Sequence, residues 1–370
     1  MADEPILVDY LVSAEPSRVA ERADALLLEQ TVELPRSALR TRFASERLVG
    51  RVVGTRQVSP EGFRVTLEQP AEAAAGDPAQ LLNVLFGNCS LQPDVSLEDV
   101  RLPAALARGL GGPRFGTEGL REATGVRGRA LTASALKPMG LTVDEAASLC
   151  LTLARAGIDV IKDDHGLADH PFCPFAERVA ACLGAVRRAS DETGRAALYV
   201  PNLIGTPAAV DRQARWAADL GAQAVMVSPM LVGLPFLNEL AGRLGLPIVA
   251  HPSFGGAGRI APAALLGKLF RVMGADAVIF PNAGGRFAYT AEVCSAIAGN
   301  LRAPWPGVRP SLAAPAGGIR AENARVVLEA YGPDTLLLVG GGLLDAPDLA
   351  TILGRGRRFV ADVVHAQTPL

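Results

Sequence analysis

The sequence is poor in lysine. Its thirty-six Lys and Arg residues include only three lysines, Lys137, Lys162 and Lys268. Two of them end short apolar runs, LTASAL-Lys137 and IDVI-Lys162, while Lys268 falls inside the amphipathic segment 261–272 and is expected as a solvated helix residue. Where arginine supplies nearly all positive charge, a lysine kept at the end of a buried strand points to chemistry of a primary amine. An amine can lose its proton, form a Schiff base or take up carbon dioxide as a carbamate, and a guanidinium does none of these readily. A charged residue closing an apolar run is also an ordinary solvated boundary, the competing explanation. Histidine is scarce, at four. The five cysteines (Cys89, Cys150, Cys173, Cys182, Cys294) have no C-x-x-C spacing and read as reduced, mostly buried thiols. No apolar run reaches the eighteen or so residues of a membrane span. The N-terminus, MADEPILVDY, lacks the segments of a secretory signal, so a cytoplasmic location is expected. Net charge is −2, without a basic patch, which argues against nucleic acid and membrane partners.

From about residue 130, short apolar runs alternate with amphipathic stretches. The runs are 131–136, 158–162, 197–202, 224–228, 247–251, 276–280, 311–316 and 335–340. Each suits a strand buried on both faces. Helical spacing is expected over 142–156, 207–220, 261–272, 290–300 and 321–331. Thr142 with Glu145 has the spacing of a capping box. Repeated strand–helix units predict an α/β fold, a (β/α)8 TIM barrel over residues 116–370. An open doubly wound sheet is the alternative. Residues 1–115 predict a smaller α+β, ferredoxin-like domain, with strands near 10–13, 46–55 and 63–68 and a helix over 17–29.

In such a barrel, ligands bind at the C-terminal strand ends. Those ends carry Lys137, then Lys162-Asp163-Asp164-His165, Asn202, His251, the loop Asn282-Ala-Gly-Gly-Arg286-Phe287, and two glycine sets, Gly317-Gly318 and Gly340-Gly341-Gly342. The opposite ends show no comparable concentration. Glycine-rich backbone after strands seven and eight is the usual phosphate site of this architecture, although paired glycines also make plain turns. In the second centre, Lys162 and Asp164 face the same way, because alternate residues of a strand share a side. Asp163, Asp164 and His165 offer ligands for a divalent cation, or else a solvated loop.

Taken together, these residues resemble the large subunit of RuBisCO, and more closely its non-carboxylating relatives, the RuBisCO-like proteins. Gly157-Ile-Asp-Val-Ile-Lys162-Asp-Asp-His165 is similar to the family's G-x-D-x-x-K-D-D-E, and Lys137-Pro138-Met139-Gly140-Leu141 to its K-P-K-L-G-L. Phe86-Gly87-Asn88, Ala316-Gly317-Gly318 and Gly340-Gly341-Gly342 complete the correspondence. The resemblance implies a carbamylated Lys162 that binds Mg2+ with Asp164 and His165. It implies Lys137 as general acid/base and His251 and Arg286 at the active site. It also implies a homodimer in which Asn88 and Glu29 reach the partner's site.

Departures from the family pattern bear on function. His165 replaces a Glu ligand, which weakens magnesium binding. Met139, Pro252, Ile279 and Arg286 stand where the carboxylase has Lys, Arg, His and Lys. The carbon-dioxide-fixing set and the second phosphate site are therefore expected to be missing. The expected enzyme is a lyase or isomerase that forms an enediolate from a sugar monophosphate. The segment GLAD-x-PF after the KDDH run points first to a decarboxylase or transcarboxylase/hydrolase of a 3-oxo-isoapionate-4-phosphate type. The alternatives are a methionine-salvage enolase or isomerase of a methylthio-ketose 1-phosphate, and a non-catalytic sugar-phosphate binder.

Overall fold

A computed structural model describes residues 4–366. Four N-terminal strands are β1 (Ile6–Ser13), β2 (Arg51–Gln57), β3 (Gly62–Gln69) and β4 (Val95–Arg101). They form an antiparallel sheet in the order β2-β3-β1-β4. Helix Val19–Thr31 joins β1 to β2 and helix Pro78–Phe86 lies between β3 and β4, which is the ferredoxin-like β-α-β-β-α-β arrangement. The strand expected over 46–55 begins only at Arg51, since Ala44–Leu48 is a wide helical turn. Gly50 marks the change: its φ is +69°, and a Cβ there would lie 2.2 Å from the Glu68 carbonyl oxygen.

The second sheet closes on itself. Its strands are β5 (Leu131–Leu136), β6 (Val160–Asp163), β7 (Leu198–Val200), β8 (Asn202–Leu203), β9 (Val225–Val227), β10 (Ile248–Ala250), β11 (Ala277–Pro281), β12 (Leu312–Ala316) and β13 (Leu336–Val339). They pair in parallel in the order β7-β6-β5-β13-β12-β11-β10-β9-β8. β7 and β8 are two pieces of one strand interrupted at Pro201, which has no N–H to give, so the sheet is an eight-stave barrel. Each of the eight apolar runs read from the sequence overlaps its stave, and β6, β8 and β11 extend one residue past theirs.

Alternation within the staves sorts the core. Leu131, Ala133, Val160, Leu198, Val249, Ala277, Ile279, Leu312, Ala314, Leu336 and Leu338 belong to one buried cluster, the barrel interior. Leu136, Ile161, Tyr199, Val225 and Val278 belong to the cluster shared with the outer helices. Leu120, on helix Gly116–Thr124, joins the interior cluster and plugs one end. Thr142 and Glu145 form the capping box expected for helix Val143–Arg155.

The N-terminal strand ends have no concentration of polar groups like that at the mouth, but two of them carry a buried carboxylate. Asp159 takes both Arg129 nitrogens at 2.7 Å and the Thr132 N–H at 2.8 Å. Asp276 accepts the N–H groups of Phe115, Gly116 and Ile248. These carboxylates are hidden inside runs that look apolar because backbone donors satisfy them. Lys268, expected as a solvated helix residue, instead donates to the Val100 carbonyl at 2.9 Å and pairs with Asp99 at 2.6 Å. It ties the outer barrel to β4. Lys268→Ala should cost about 1–3 kcal/mol, since a partly buried carboxylate and a carbonyl lose their partner. Chemical denaturation would check this, and an unchanged midpoint would refute it. Among the described residues no helix is long and apolar enough to cross a membrane.

Candidate active site at the barrel mouth

The period of two that fills the barrel also points its polar residues. Ala133, Ala135 and Lys137 follow one another on the inner side of β5, as Val160, Lys162 and Asp164 do along β6, with Ala135 and Lys162 in register. They open into a cavity of about 1710 Å³. It is lined by Lys137, Lys162, Asp164, His165, His251, Arg286, Gly317, Gly318, Gly340 and Gly341, all named from the sequence.

Asp164 is the hub of this group. Its Oδ1 lies 2.6 Å from Lys137 Nζ and 3.1 Å from His165 Nδ1. Burial alone would raise its carboxyl, but the hydrogen bonds from His165 and Lys137 overcome this and hold it well below the usual carboxylate range. Lys162 is almost fully buried and donates to the Asp163 carbonyl at 2.9 Å. Burial pushes its amine down to about 8, with repulsion from Lys137 adding to the shift and Asp164 and Asp163 opposing it. His251 is driven to about 2 by burial, then by Lys162 and His165, so its ring is neutral. Ser253 N–H donates to His251 Nδ1 at 3.2 Å, which leaves Nε2 carrying the proton. The His165 and His251 rings stack with centroids 4.2 Å apart.

Asp163 turns the other way, as its odd position in the strand requires. It is fully buried and accepts from Arg178 Nε (3.1 Å), Tyr199 Oη (2.6 Å) and Asn202 N–H (3.0 Å). Asn202 is likewise scaffold: its Nδ2 donates to the carbonyls of His165 and Leu167. The segment after His165 has a similar task. Asp169 accepts from the Phe175 N–H, and Arg178 donates to the Ala168 and Cys173 carbonyls. None of residues 166–175 lines the cavity. The GLAD-x-PF segment therefore builds a loop and gives no reading of the substrate.

On the staves next round the barrel from the lysines, β13 beside β5 and β12 beyond it, the glycines follow: Gly317 (φ +91°) and Gly318 (φ +70°) turn the chain after β12 in left-handed backbone. A Cβ on Gly318 would lie 3.1 Å from Gly285 Cα, so the loops after β11 and β12 touch only because both residues are glycine. After β13, Gly341–Leu344 makes a helical turn whose leading N–H groups have no partner within the turn. Arg320, Arg355 and Arg358 line the cavity too and were not identified from the sequence. Arg355 and Arg358 sit three apart on helix Leu349–His365, on the face turned to the glycine loops, a spacing that would have exposed them once the helix was placed. With Lys137, Lys162 and Arg286 they give six cations against three carboxylates, Asp164, Glu322 and Asp345. The excess suits an anionic ligand.

Glu29 and Asn88 do not line this cavity. They meet each other in a small cleft of the N-terminal domain, where Asn88 Nδ2 donates to Glu29 Oε1 at 3.1 Å.

The expected magnesium set does not fit as it stands. Among the described residues no three His, Cys, Asp or Glu side chains are grouped to hold a metal. Lys162, Asp164 and His165 supply one carboxylate between them, and Lys137 and His165 already occupy its Oδ1. A hard dication needs several oxygens. Only a carbamate on Lys162 would add more, and an amine lowered to about 8 has the neutral fraction that carbon dioxide requires.

The profile of the ribulose bisphosphate carboxylase large chain, catalytic domain, matches residues 116–354. Ribulose bisphosphate carboxylase-like protein 1 of Rhodopseudomonas palustris is 46% identical, with 98% of this chain and 99% of that protein covered. The 5-methylthioribulose-1-phosphate isomerase of Rhodospirillum rubrum is 42% identical, with 96% of each covered. A 2,3-diketo-5-methylthiopentyl-1-phosphate enolase of Geobacillus kaustophilus is 34% identical over 83% of this chain and 76% of that one. The crystal structure of a Rubisco-like protein from Rhodopseudomonas palustris superposes with a TM-score of 0.92 at 42% identity, covering all of both chains.

Proposed function

The chain belongs to the ribulose bisphosphate carboxylase large-chain family, among its RuBisCO-like, non-carboxylating lyases and isomerases, and on that basis we propose that it isomerises a methylthio-ketose 1-phosphate through an enediolate. The observation that carries this is one cavity with a buried, partly neutral amine at Lys162, a cation–carboxylate pair at Lys137 and Asp164, and glycine backbone on the adjoining wall. The glycine loops at 317–318 and 340–342, with Arg320 and Arg358 nearby, hold the phosphate. Lys162 takes a proton from the carbon beside the carbonyl, and the electron pair moves onto the carbonyl oxygen. Lys137 and the Nε2–H of His251 stabilise the oxyanion. The proton of the hydroxyl on that neighbouring carbon passes to the former carbonyl oxygen, with Lys137 as its carrier, and return of the carbon-bound proton to the former carbonyl carbon completes the isomerisation, with no atom gained or lost. Sequence resemblance gave the acid/base role to Lys137. Its pairing with Asp164, against the lowered amine of Lys162, favours the exchange of roles.

The relatives named for methylthio compounds support this substrate over the branched 3-oxo sugar acid expected first. The isomerase is the more similar of those two, at 42% against 34%, and is covered nearly end to end. An enolase acting on a methylthio-diketone phosphate is the second reading. Under either, Glu29 and Asn88 serve the barrel of a second copy in a homodimer, a reading supported by their not lining their own chain's cavity. Incubation of a 5-methylthio-ketose 1-phosphate in deuterated water tests the proposal. Deuterium should enter the product at a carbon next to the old carbonyl, and chelation of divalent metal should change the rate by less than about tenfold. Binding without exchange would favour the non-catalytic reading. Loss of nearly all turnover on chelation, restored by magnesium and bicarbonate, would overturn the metal-free chemistry.

A further inference from the structure

The cavity wall divides by chemistry. Lysines, Asp164 and histidines occupy the loops after β5, β6 and β10, and glycine backbone with arginines occupies those after β12 and β13. The remaining arc, from the turn after His251 and the loop after β11, carries the apolar side chains Pro252, Phe254, Ile279, Pro281 and Phe287, with Ser253, Arg286 and Tyr289 among them. Two of these are large aromatic side chains held open to water, Phe254 at 64% and Phe287 at 52% exposed. An exposed phenylalanine at a cavity mouth is a cost to the free protein that a ligand's apolar group can relieve.

Phe254 is also held in an uncommon backbone state. Its φ is +65°, a region where glycine or asparagine is the usual resident. Tight local bonds impose it: Gly255 N–H donates to the Pro252 carbonyl and Ala257 N–H to the Phe254 carbonyl. A Cβ on Gly255 would lie 2.9 Å from the Pro252 oxygen, so the turn admits only glycine there. The turn is thus built to present one aromatic ring at the cavity. Phe287 is presented on the adjoining loop, with the Arg286 guanidinium stacked 5.0 Å from its ring centroid. That stacking turns the Arg286 side chain onto the ring.

We infer that Phe254 and Phe287, over the floor formed by Ile279, are the pocket for the thioether end of the substrate and set its specificity against the hydroxyl-bearing ketose phosphate. The inference rests on the methylthio reading above and names the residues that read it. A polarizable sulfur beside aromatic rings is favoured, and a hydroxyl placed there would lose its water without gaining a partner.

Binding of two unreactive alcohols separates the pocket from the catalysis. Titration calorimetry would compare 5-methylthioribitol 1-phosphate with ribitol 1-phosphate on the full-length protein. The wild type should prefer the thioether by about tenfold or more, the discrimination available to an apolar pocket. Phe254→Ala and Phe287→Ala should each erode that preference, and the affinity for ribitol 1-phosphate, held by its phosphate, should stay within about twofold. Phe254→Leu should keep part of the preference, which guards against a variant that merely disorders the turn. A wild type that does not prefer the thioether, or a preference intact in both alanine variants, would overturn the pocket. Failure of deuterium exchange with the ketose would instead remove the isomerase reading.

Discussion

Replacing Lys162 with alanine is expected to lower turnover by about a hundred- to ten-thousand-fold, the range for loss of a positioned general base. The wild-type profile should carry the same signature. Lys162 acts as a base only when neutral, and its amine sits near 8. The rate constant kcat/KM should therefore climb as pH rises through about 8 and level off above it. In the Lys162→Ala variant that limb should vanish from whatever activity is left. Lys137→Ala should cost a comparable factor for another reason. It takes a cation from the oxyanion and leaves Asp164 with His165 as its one recorded side-chain partner. Steady-state kinetics from about pH 6 to about pH 10 on all three proteins would check both claims. A limb near 8 that survives in Lys162→Ala would assign the titration to another group, and full activity in Lys137→Ala would remove that residue from the chemistry.

Much of the frame was legible because barrel staves are short, apolar and bounded by turns. All eight were found from pattern alone, and residues at the ends of six of them line one cavity. The N-terminal half was harder. β4 begins at Val95 after a stretch with little periodicity, and the helical turn at Ala44–Leu48 has the composition of a strand edge. Three parts of the candidate site were hidden in the sequence. Arg355 and Arg358 reach the cavity from the last helix, where they look like surface charges. Phe254 looks like an ordinary loop residue until its backbone is known. Asp163 is set apart from Lys162 and Asp164 by strand alternation, but nothing in the run of charges names Arg178 and Tyr199 as its partners. The first substrate expectation, which the relatives do not support, had a weak basis for a related reason. Residues 166–175 looked diagnostic, yet their polar atoms are spent on the loop's own carbonyls and amides.

That outward turn of Asp163 leads to the largest expected effect on stability. Asp163 and Arg178 are both fully buried and 3.1 Å apart, with Tyr199 at 2.6 Å from the same carboxylate. Burial would lower the Arg178 guanidinium, but Asp163 and Tyr199 overcome it and hold it above its ordinary range, so it stays charged. Arg178→Met fills much of the space and removes the charge. It leaves Asp163 buried with no cation, and breaking such a pair costs on the order of 3–5 kcal/mol. The loss should reach the active site, because Asp163 lies between Lys162 and Asp164 in the chain and any retreat of its carboxylate toward water turns both. The double variant Arg178→Met with Asp163→Leu removes the stranded charge and should regain part of the stability, so the two substitutions are non-additive. It should not regain turnover, since the strand end is no longer fixed by Tyr199 and the Asn202 N–H. Denaturant unfolding of the two single variants and the double, with turnover measured on each, would decide it. A loss below about 1 kcal/mol in Arg178→Met would mean that water reaches the carboxylate and that the pair is not what holds Lys162 and Asp164 at the cavity floor.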